Sequence, residues 1–288
     1  MRLGVVFPTM EIGSDPVAIR DYAQTVEGLG YDYLLTYDRV LGVNPDRPGG
    51  WDGPYTHHDA FHEPFVLFGY LAAVTRTLAL VTGTLILPQR QTVLVAKQAA
   101  QIDILSGGRL SLGVAIGWNR VEYEALGQDF HDRAARSEEQ IDVLRRLWTR
   151  PLVVFHGAYH TIADAGLNPL PVQRPIPIWV GGMADPVLQR MARLGDGWLV
   201  MGPVDDRLRA KVDALRGYLA SAGRDPQAFG LDGRIGVGDV PRAQWRRRYE
   251  DWRQIGATQF GVNTMGAGFS SLDDHLTAIR QFKEEVGG

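Results

Sequence analysis

Eight short apolar segments alternate with longer segments of helical periodicity along all 288 residues, and this alternation constrains the fold more than any other feature. The predicted strands are Leu3–Pro8, Tyr33–Arg39, Leu78–Leu87, Arg109–Gly117, Ile176–Gly181, Gly197–Met201, a strand within Phe229–Gly238, and Gln259–Thr264. Near-continuous apolar strands are typical of parallel strands that are covered on both faces. The sequence therefore predicts an α/β fold, a single (β/α)8 TIM barrel over residues 1–288, with an open doubly wound sheet as the alternative.

Two insertions interrupt this rhythm, one after the second strand at residues 40–62 and one before the fifth strand at residues 151–175. The second contains VVFHGAYHTI, which predicts a β-hairpin. Insertions of this length in a compact domain are usually functional or disordered. Only the first necessarily lies at the carboxyl ends of the strands, where barrel enzymes hold their active sites.

Composition excludes several classes of protein. The net charge of −3 argues against a nucleic-acid or anionic-membrane partner. The absence of cysteine excludes disulfides and thiolate metal sites, and it fits a reducing compartment. No apolar stretch reaches the roughly 18–20 residues of a membrane helix, and the N-terminus lacks the pattern of a signal peptide. We therefore expect a cytoplasmic protein.

Glycines stand at the ends of the fourth and fifth predicted strands. The tip Gly117–Asn119, with Trp118 at its centre, is either part of a ligand site or a packing detail. It is not a dinucleotide fingerprint, because no third glycine opens the helix. Gly181 and Gly182 precede a helix, where free N–H groups would suit a phosphate, and Gly202 would add a contact. The alternative for that pair is an ordinary turn.

The second and third strands also carry candidate residues. Gly83 and Thr84 interrupt an apolar strand, which predicts a bulge or the close approach of a ligand. Asp38 and Arg39 end the second strand, where they would be catalytic or would form ordinary ion pairs.

Three histidines in the first insertion, His57, His58 and His62, raise the question of a metal site. The last two have the i, i+4 spacing of ligands on a helix. They lie at a boundary between loop and helix without a further cluster of ligands, so we predict no metal site.

The segments LPQRQTVLVAKQAAQIDILSGGRLSLGVAIGW, EALG, PIPIWVGG and LGDGW together resemble the bacterial luciferase-like monooxygenase family. Within it the chain is similar to the branch of coenzyme F420-dependent oxidoreductases. The resemblance covers essentially the whole chain. It implies a (β/α)8 barrel, usually a homodimer, that binds FMN or the deazaflavin F420 at its mouth.

The resemblance also implies roles for particular residues. The ring of the cofactor would contact Asp38, Gly83, Thr84, Leu85, Gly117, Trp118 and Asn119, and its phosphate would contact Gly181, Gly182 and Gly202. Trp51, Tyr55 and Trp118 would line an apolar substrate pocket. The family further leads us to expect a non-proline cis peptide in the third strand, which we predict between Thr84 and Leu85.

One position departs from the family. Several F420-dependent members have a catalytic histidine where this chain has Arg39. An arginine is always protonated and does not serve as an acid or base, but it would stabilise a developing anion. His57, His58, Tyr37 or solvent would then supply a proton.

These residues lead to three hypotheses of function. The first is hydride transfer between F420 and an unidentified small organic substrate. The second is an FMN-dependent monooxygenase that receives reduced flavin from a partner reductase and reacts with oxygen. The third is a flavin-binding barrel without catalysis.

Overall fold

The computed structural model describes residues 1–287 and confirms the predicted barrel. Its strands are β1 (Arg2–Val6), β2 (Tyr33–Thr36), β3 (Ala79–Thr82), β4 (Leu85–Ile86), β5 (Leu110–Ala115), β8 (Ile178–Gly181), β9 (Gly197–Leu199), β10 (Gly230–Gly236) and β11 (Gln259–Asn263), with β6 (Val153–His156) and β7 (Thr161–Ala165) outside it. All the barrel strands are parallel, and β3 pairs with β5 to close the sheet. We call each strand position of the barrel a stave. The short strands β3 and β4 follow one another in a single interrupted stave, so the barrel has eight staves.

The helices cover the outside of the barrel. They are α1 (Pro16–Gly28), α2 (Pro64–Val74), α3 (Thr92–Ser106), α4 (Arg120–Ala125), α5 (Arg133–Thr149), α6 (Asp185–Leu194), α7 (Asp206–Ser221), α8 (Trp245–Gln254) and α9 (Leu272–Gly287). Local signals fix several ends. Asp15 caps α1, where its side chain accepts a hydrogen bond from the Val17 N–H, and α3 ends at Gly107 in the left-handed conformation. Within residues 1–287 no helix is long and apolar enough to cross a bilayer.

The third stave contains a one-residue bulge. Leu80 pairs with Leu110, but Leu85 pairs with Val114, so the third stave uses one residue more than its neighbour. The cis peptide lies in this bulge between Gly83 and Thr84, so the predicted position, Thr84–Leu85, is wrong by one bond. Leu85 already pairs regularly with β5, and the irregular backbone is therefore confined to the two residues before it.

The second insertion forms the predicted hairpin, β6 and β7, which docks on the outside of α5. Glu139 of α5 accepts hydrogen bonds from the N–H groups of Ala158 and Tyr159 in the hairpin turn, at 2.7 and 2.9 Å. His160 Nδ1 lies 2.7 Å from the same carboxylate, and His160 Nε2 lies 2.6 Å from the Thr92 hydroxyl at the start of α3. One half-buried carboxylate thus anchors the whole turn.

Gly113 in β5 allows close packing between the third and fourth staves. A Cβ at this position would overlap the carbonyl oxygen of Thr82 and lie 2.5 Å from Leu199 Cδ1. We predict that Gly113→Ala lowers the free energy of unfolding by about 1–3 kcal/mol, because a backbone carbonyl in a barrel cannot move aside. Denaturant unfolding measures this. Gly217→Ala, on an exposed face of α7 with open space around it, is the control and should stabilise by about 0.5–1 kcal/mol. Equal stability of the Gly113 variant and the wild type would contradict the packing argument.

Candidate functional site

A cavity of about 540 Å³ opens at the carboxyl ends of the strands, the face on which TIM-barrel enzymes hold their active sites. Ten of the residues singled out from the sequence line it: Tyr37, Asp38, Arg39, Tyr55, Gly83, Thr84, Gly117, Trp118, Gly181 and Gly182. The remaining lining is mostly apolar and includes Phe61 from the first insertion and Met183 and Met201 from the ends of later strands. Such a lining is typical of a site for a flat organic group.

Glycines keep the floor of the cavity flat. A Cβ on Gly117 would lie 2.7 Å from Ile86 Cγ2, and the residue has a positive φ of 65° that favours glycine. A Cβ on Gly181 would lie 3.0 Å from Thr84 Cγ2 and 3.7 Å from Ala115 Cβ. The ends of three staves therefore meet on one surface without side chains standing between them.

One wall of the cavity is the N-terminus of α6. Its N-cap residue is Ala184, which offers no side chain to the first turn, and the N–H groups of Met183 and Ala184 have no acceptor among residues 1–287. Trp198 Nε1 donates a hydrogen bond of 2.8 Å to the Gly182 carbonyl oxygen and so fixes the turn. Free N–H groups at a helix N-terminus form an anion-binding site. Gly202 does not reach this wall and lines an adjoining chamber instead.

Asp38 is buried, and both of its carboxylate oxygens have partners. Oδ2 accepts a hydrogen bond of 3.0 Å from the Ile86 N–H, and Oδ1 accepts one of 2.8 Å from Arg90 Nη2. Arg90 also contacts Glu63 at 2.8 Å. Burial raises the pKa of Asp38 above its ordinary value, and the Arg90 guanidinium opposes that rise. Asp38 therefore holds β4 in place next to the bulge.

Arg39 lies in a stack of aromatic rings at the rim of the cavity. Its guanidinium carbon is 4.6 Å from the centre of the Trp118 ring and 5.3 Å from that of Tyr55. Trp51 stacks on Trp118 with ring centres 5.7 Å apart, so it supports this stack from behind and is not part of the cavity lining. Arg39 Nη1 also pairs with Glu122 Oε2 at 3.3 Å.

Glu122 was not foreseen from the sequence. Its buried carboxylate accepts hydrogen bonds from the Val40 and Leu41 N–H groups at 2.7 and 3.3 Å, and from Gln89 Nε2 at 3.0 Å, besides its contact with Arg39. It therefore ties the start of the first insertion to α4. No sequence signal distinguishes it from Glu124, which is exposed on the same short helix.

Besides Gly202 and Trp51, three further predicted site residues lie outside the cavity. Leu85 is fully buried in the core and does not line the cavity, because its place in β4 turns its side chain away. Asn119 caps α4, where its side-chain oxygen accepts hydrogen bonds from the N–H groups of Val121 and Glu122. His57 is exposed, with its ring centre 3.9 Å from that of His58, and neither ring lines the cavity.

The remaining histidine of the insertion, His62, lies with Nε2 3.1 Å from the Gly13 carbonyl oxygen. No group of three or more His, Cys, Asp and Glu side chains within residues 1–287 is arranged to hold a metal ion. Of the proton donors considered above, Tyr37 lines the cavity, and its buried hydroxyl makes no hydrogen bond of regular geometry among the described residues, although it lies close to the Arg234 guanidinium.

A polar network inside the barrel was also not foreseen. Tyr33 Oη donates a hydrogen bond of 2.6 Å to Asp232 Oδ2, and Arg234 Nε donates one of 3.2 Å to Asp232 Oδ1. Burial raises the pKa of Asp232, and Arg234 opposes the rise. Arg234 lines both the cavity and the adjoining chamber. The sequence did contain a signal for this network. Asp232 and Arg234 lie two residues apart in a strand, so their side chains face the same side and can form an ion pair.

Comparisons with known proteins agree with this geometry. A sequence model of the family described as luciferase-like monooxygenase matches residues 1–282. An uncharacterised protein of Mycobacterium tuberculosis is 38% identical over 203 residues, which cover 67% of this chain and 69% of the relative. The FMNH2-dependent dimethylsulfone monooxygenase of Pseudomonas putida is 32% identical over 209 residues, covering 71% of this chain and 54% of that protein. The structure of an F420-dependent secondary alcohol dehydrogenase superimposes with a TM-score of 0.76 at 15% identity, covering 99% of this chain and 98% of that one, which shows a shared fold.

We predict that Glu122→Ala destabilises the protein by about 3 kcal/mol, because it leaves two backbone donors and the Arg39 charge without their buried partner. Denaturant unfolding gives the free energy of both variants. Glu124→Ala removes an exposed carboxylate from the same helix and should change stability by less than about 0.5 kcal/mol. If the two variants were equally stable, the anchoring role of Glu122 would be wrong.

Proposed function

Because the chain belongs to the luciferase-like monooxygenase family, we propose that this enzyme transfers a hydride between the deazaflavin coenzyme F420 and a small organic substrate. One observation carries the proposal. A single cavity combines a flat floor of glycines with the unpaired N–H groups at the N-terminus of α6. A flat ring joined to a phosphate by a short chain has the shape and charge that such a cavity accepts. The sequence resemblance to the F420-dependent branch supports the choice of deazaflavin.

The residues present fit such a cofactor. Gly83, Thr84 and Gly117 would hold the ring, and the turn from Gly182 to Ala184 would hold the phosphate. The two N–H groups without acceptors are the specific features that a phosphate would satisfy, since an unpaired backbone donor is costly once it is shielded from water.

When bound, F420 would supply or accept the hydride, and the protein would position the reactants and exclude water. Arg39 cannot exchange a proton at ordinary pH, so its part is electrostatic: it places positive charge at the rim, where it would stabilise a developing anion. Tyr37, whose buried hydroxyl lies close to the Arg234 guanidinium, is the group of this chain that would donate a proton inside the cavity.

A second candidate function is an FMN-dependent monooxygenase supplied with reduced flavin by a partner reductase. The observation that favours it is the 32% identity to an FMNH2-dependent dimethylsulfone monooxygenase. The same cavity would accept either ring, so the identity of the cofactor distinguishes the two functions. Membership in a family of oxidoreductases and monooxygenases argues against a flavin-binding barrel without catalysis.

We also propose that the enzyme is a homodimer, joined through α2 and α3. These helices pack on each other, and α2 is apolar around its whole circumference, which is typical of a helix covered on both sides. Val66 on α2 and Leu94 and Leu105 on α3 are 74%, 52% and 58% exposed in the single chain. Several aliphatic side chains exposed on neighbouring helices mark a protein interface.

The cofactor proposal predicts that the protein binds F420 with a dissociation constant at least about tenfold lower than that for FMN, measured by fluorescence titration of both. Gly181→Ala should weaken F420 binding by about tenfold or more, since the new methyl group would stand on the floor beside Thr84. Gly181 is a better test than Gly182, whose φ of 130° would strain any side chain. Micromolar FMN binding without F420 binding would instead support the monooxygenase.

The role of Arg39 predicts a shift in the midpoint potential of the bound cofactor. Arg39→Ala should lower that potential, because the loss of a positive charge near the ring makes the addition of electrons less favourable. Arg39→Lys keeps the charge, should leave the potential closer to that of the wild type, and is the control. Spectroelectrochemical titration measures all three proteins, and identical potentials would restrict Arg39 to holding the rim together.

The dimer proposal predicts a mass in solution of twice the 31.8 kDa chain, measured by light scattering after size-exclusion chromatography. The double substitution of Leu94 and Leu105 by Glu should produce monomers, because each charge would be desolvated in the interface. Val17→Glu, on an exposed position of α1, is the control and should leave the dimer intact. A monomeric wild-type protein would contradict the proposal.

A further inference from the structure

A second chamber of about 290 Å³ adjoins the cavity and shares Tyr37, Met201 and Arg234 with it. Its other walls come from the ends of the last three staves and from α8. They include Gly202, Asp239, Val240, Arg248, Trp252 and Asn263. The chamber opens from the place where a ring would lie, so a substrate bound beside that ring would reach into it.

Arg234 contributes a positive charge to this chamber, and not all of its N–H groups have regular hydrogen bonds. Its side chain is 6% exposed and is held through Nε by Asp232, which is held in turn by Tyr33. Nη2 is buried and makes no hydrogen bond of regular geometry among residues 1–287, although the Tyr37 hydroxyl lies close to the guanidinium. A buried donor on a charged group is costly to leave unpaired, and this one lies at the boundary of an open chamber.

Arg248 of α8 adds a second positive charge to the lining of the chamber. It is half-buried on α8, and it makes no hydrogen bond or ion pair within the described part of the chain. Of the residues lining the chamber, only Asp239 is acidic. Asp232, the partner of Arg234, is fully buried inside the barrel and does not line the chamber. The chamber therefore presents two arginines against one carboxylate.

We propose that this chamber is a substrate subsite for an oxyanion, above all a carboxylate, which Arg234 Nη2 and Arg248 bind together. The planar donors of arginine match the two oxygens of a carboxylate, and the pairing is stronger away from water. The substrate would then be an organic acid whose reacting part lies in the main cavity. This inference rests on the proposed function, because it assumes a substrate beside a redox cofactor. The phosphate of the cofactor is the other possible source of an oxyanion.

The test uses a probe pair of equal size, 3-phenylpropanoate and its neutral amide, titrated into the cofactor-free enzyme. Isothermal titration calorimetry measures the affinity of each probe without any activity assay. We expect the acid to bind at least about tenfold more tightly than the amide, and Arg248→Gln to abolish that preference. Arg248→Lys should retain part of it. Arg247→Gln, which changes an exposed neighbour on the same helix, should retain all of it.

Three results would overturn the proposal: equal affinity for acid and amide, an unchanged preference in Arg248→Gln, or a loss of preference in Arg247→Gln as large as that in Arg248→Gln. A second arm distinguishes the two sources of an oxyanion. If the acid displaces F420, and Arg248→Gln weakens F420 and the acid by the same factor, the chamber holds the phosphate of the cofactor and the proposal is wrong. Failure to bind F420 would contradict the proposed cofactor but leave the probe result intact, so the two failures are distinguishable.

Discussion

The buried carboxylate of Asp38 determines the shape of the barrel mouth. It accepts a hydrogen bond from the Ile86 N–H just after the one-residue bulge at Gly83 and Thr84, and it pairs with Arg90, which continues to Glu63 at the start of α2. The bulge changes the register of the third stave, and Asp38 fixes the new register of β4. The floor of the cavity depends on this arrangement, because Ile86 packs against Gly117 and Thr84 lies beside Gly181.

Two arginines at the mouth of the barrel are each held by a buried carboxylate, but their surroundings differ. Arg39 and Arg234 are each held by a carboxylate that is buried to nearly the full extent, Glu122 and Asp232 respectively. Arg39 is also enclosed by aromatic rings, so its charge is fixed at the rim. Arg234 keeps a donor on Nη2 without a regular hydrogen bond. A charge already anchored through one nitrogen can bind a ligand through another without losing its position, which favours recognition over a purely structural role.

The sequence predicts the fold well because hydrophobic periodicity reports which faces are buried. It predicted a single strand over Leu78–Leu87, where the structure has two, because an apolar pattern does not report register with a neighbouring strand. The glycines at strand ends were identified correctly, because a glycine at such a position indicates that another group lies close to the backbone. Asn119 before a helix has the signature of an N-cap, but its place at the end of a strand and then the resemblance to a family led us to a ligand role instead.

The residues that sequence reasoning missed act through partners far away in the chain. Glu122 meets Arg39 across 83 positions, and Tyr33 meets Asp232 across 199. Only the closed barrel brings such pairs together, so no local pattern reveals them. His57 is an error of the opposite kind, a residue that was assigned to the site but does not belong to its lining. A polar residue in a long insertion suggested a function, but the His57 ring lies outside the cavity.

The most direct test of the account is a crystal structure of the enzyme soaked with F420. We predict that the ring lies over Gly83, Thr84 and Gly117, with the phosphate within hydrogen-bond distance of the Met183 and Ala184 N–H groups. A phosphate held by Arg234 and Arg248, with the α6 N-terminus free, would contradict the assignment of both chambers.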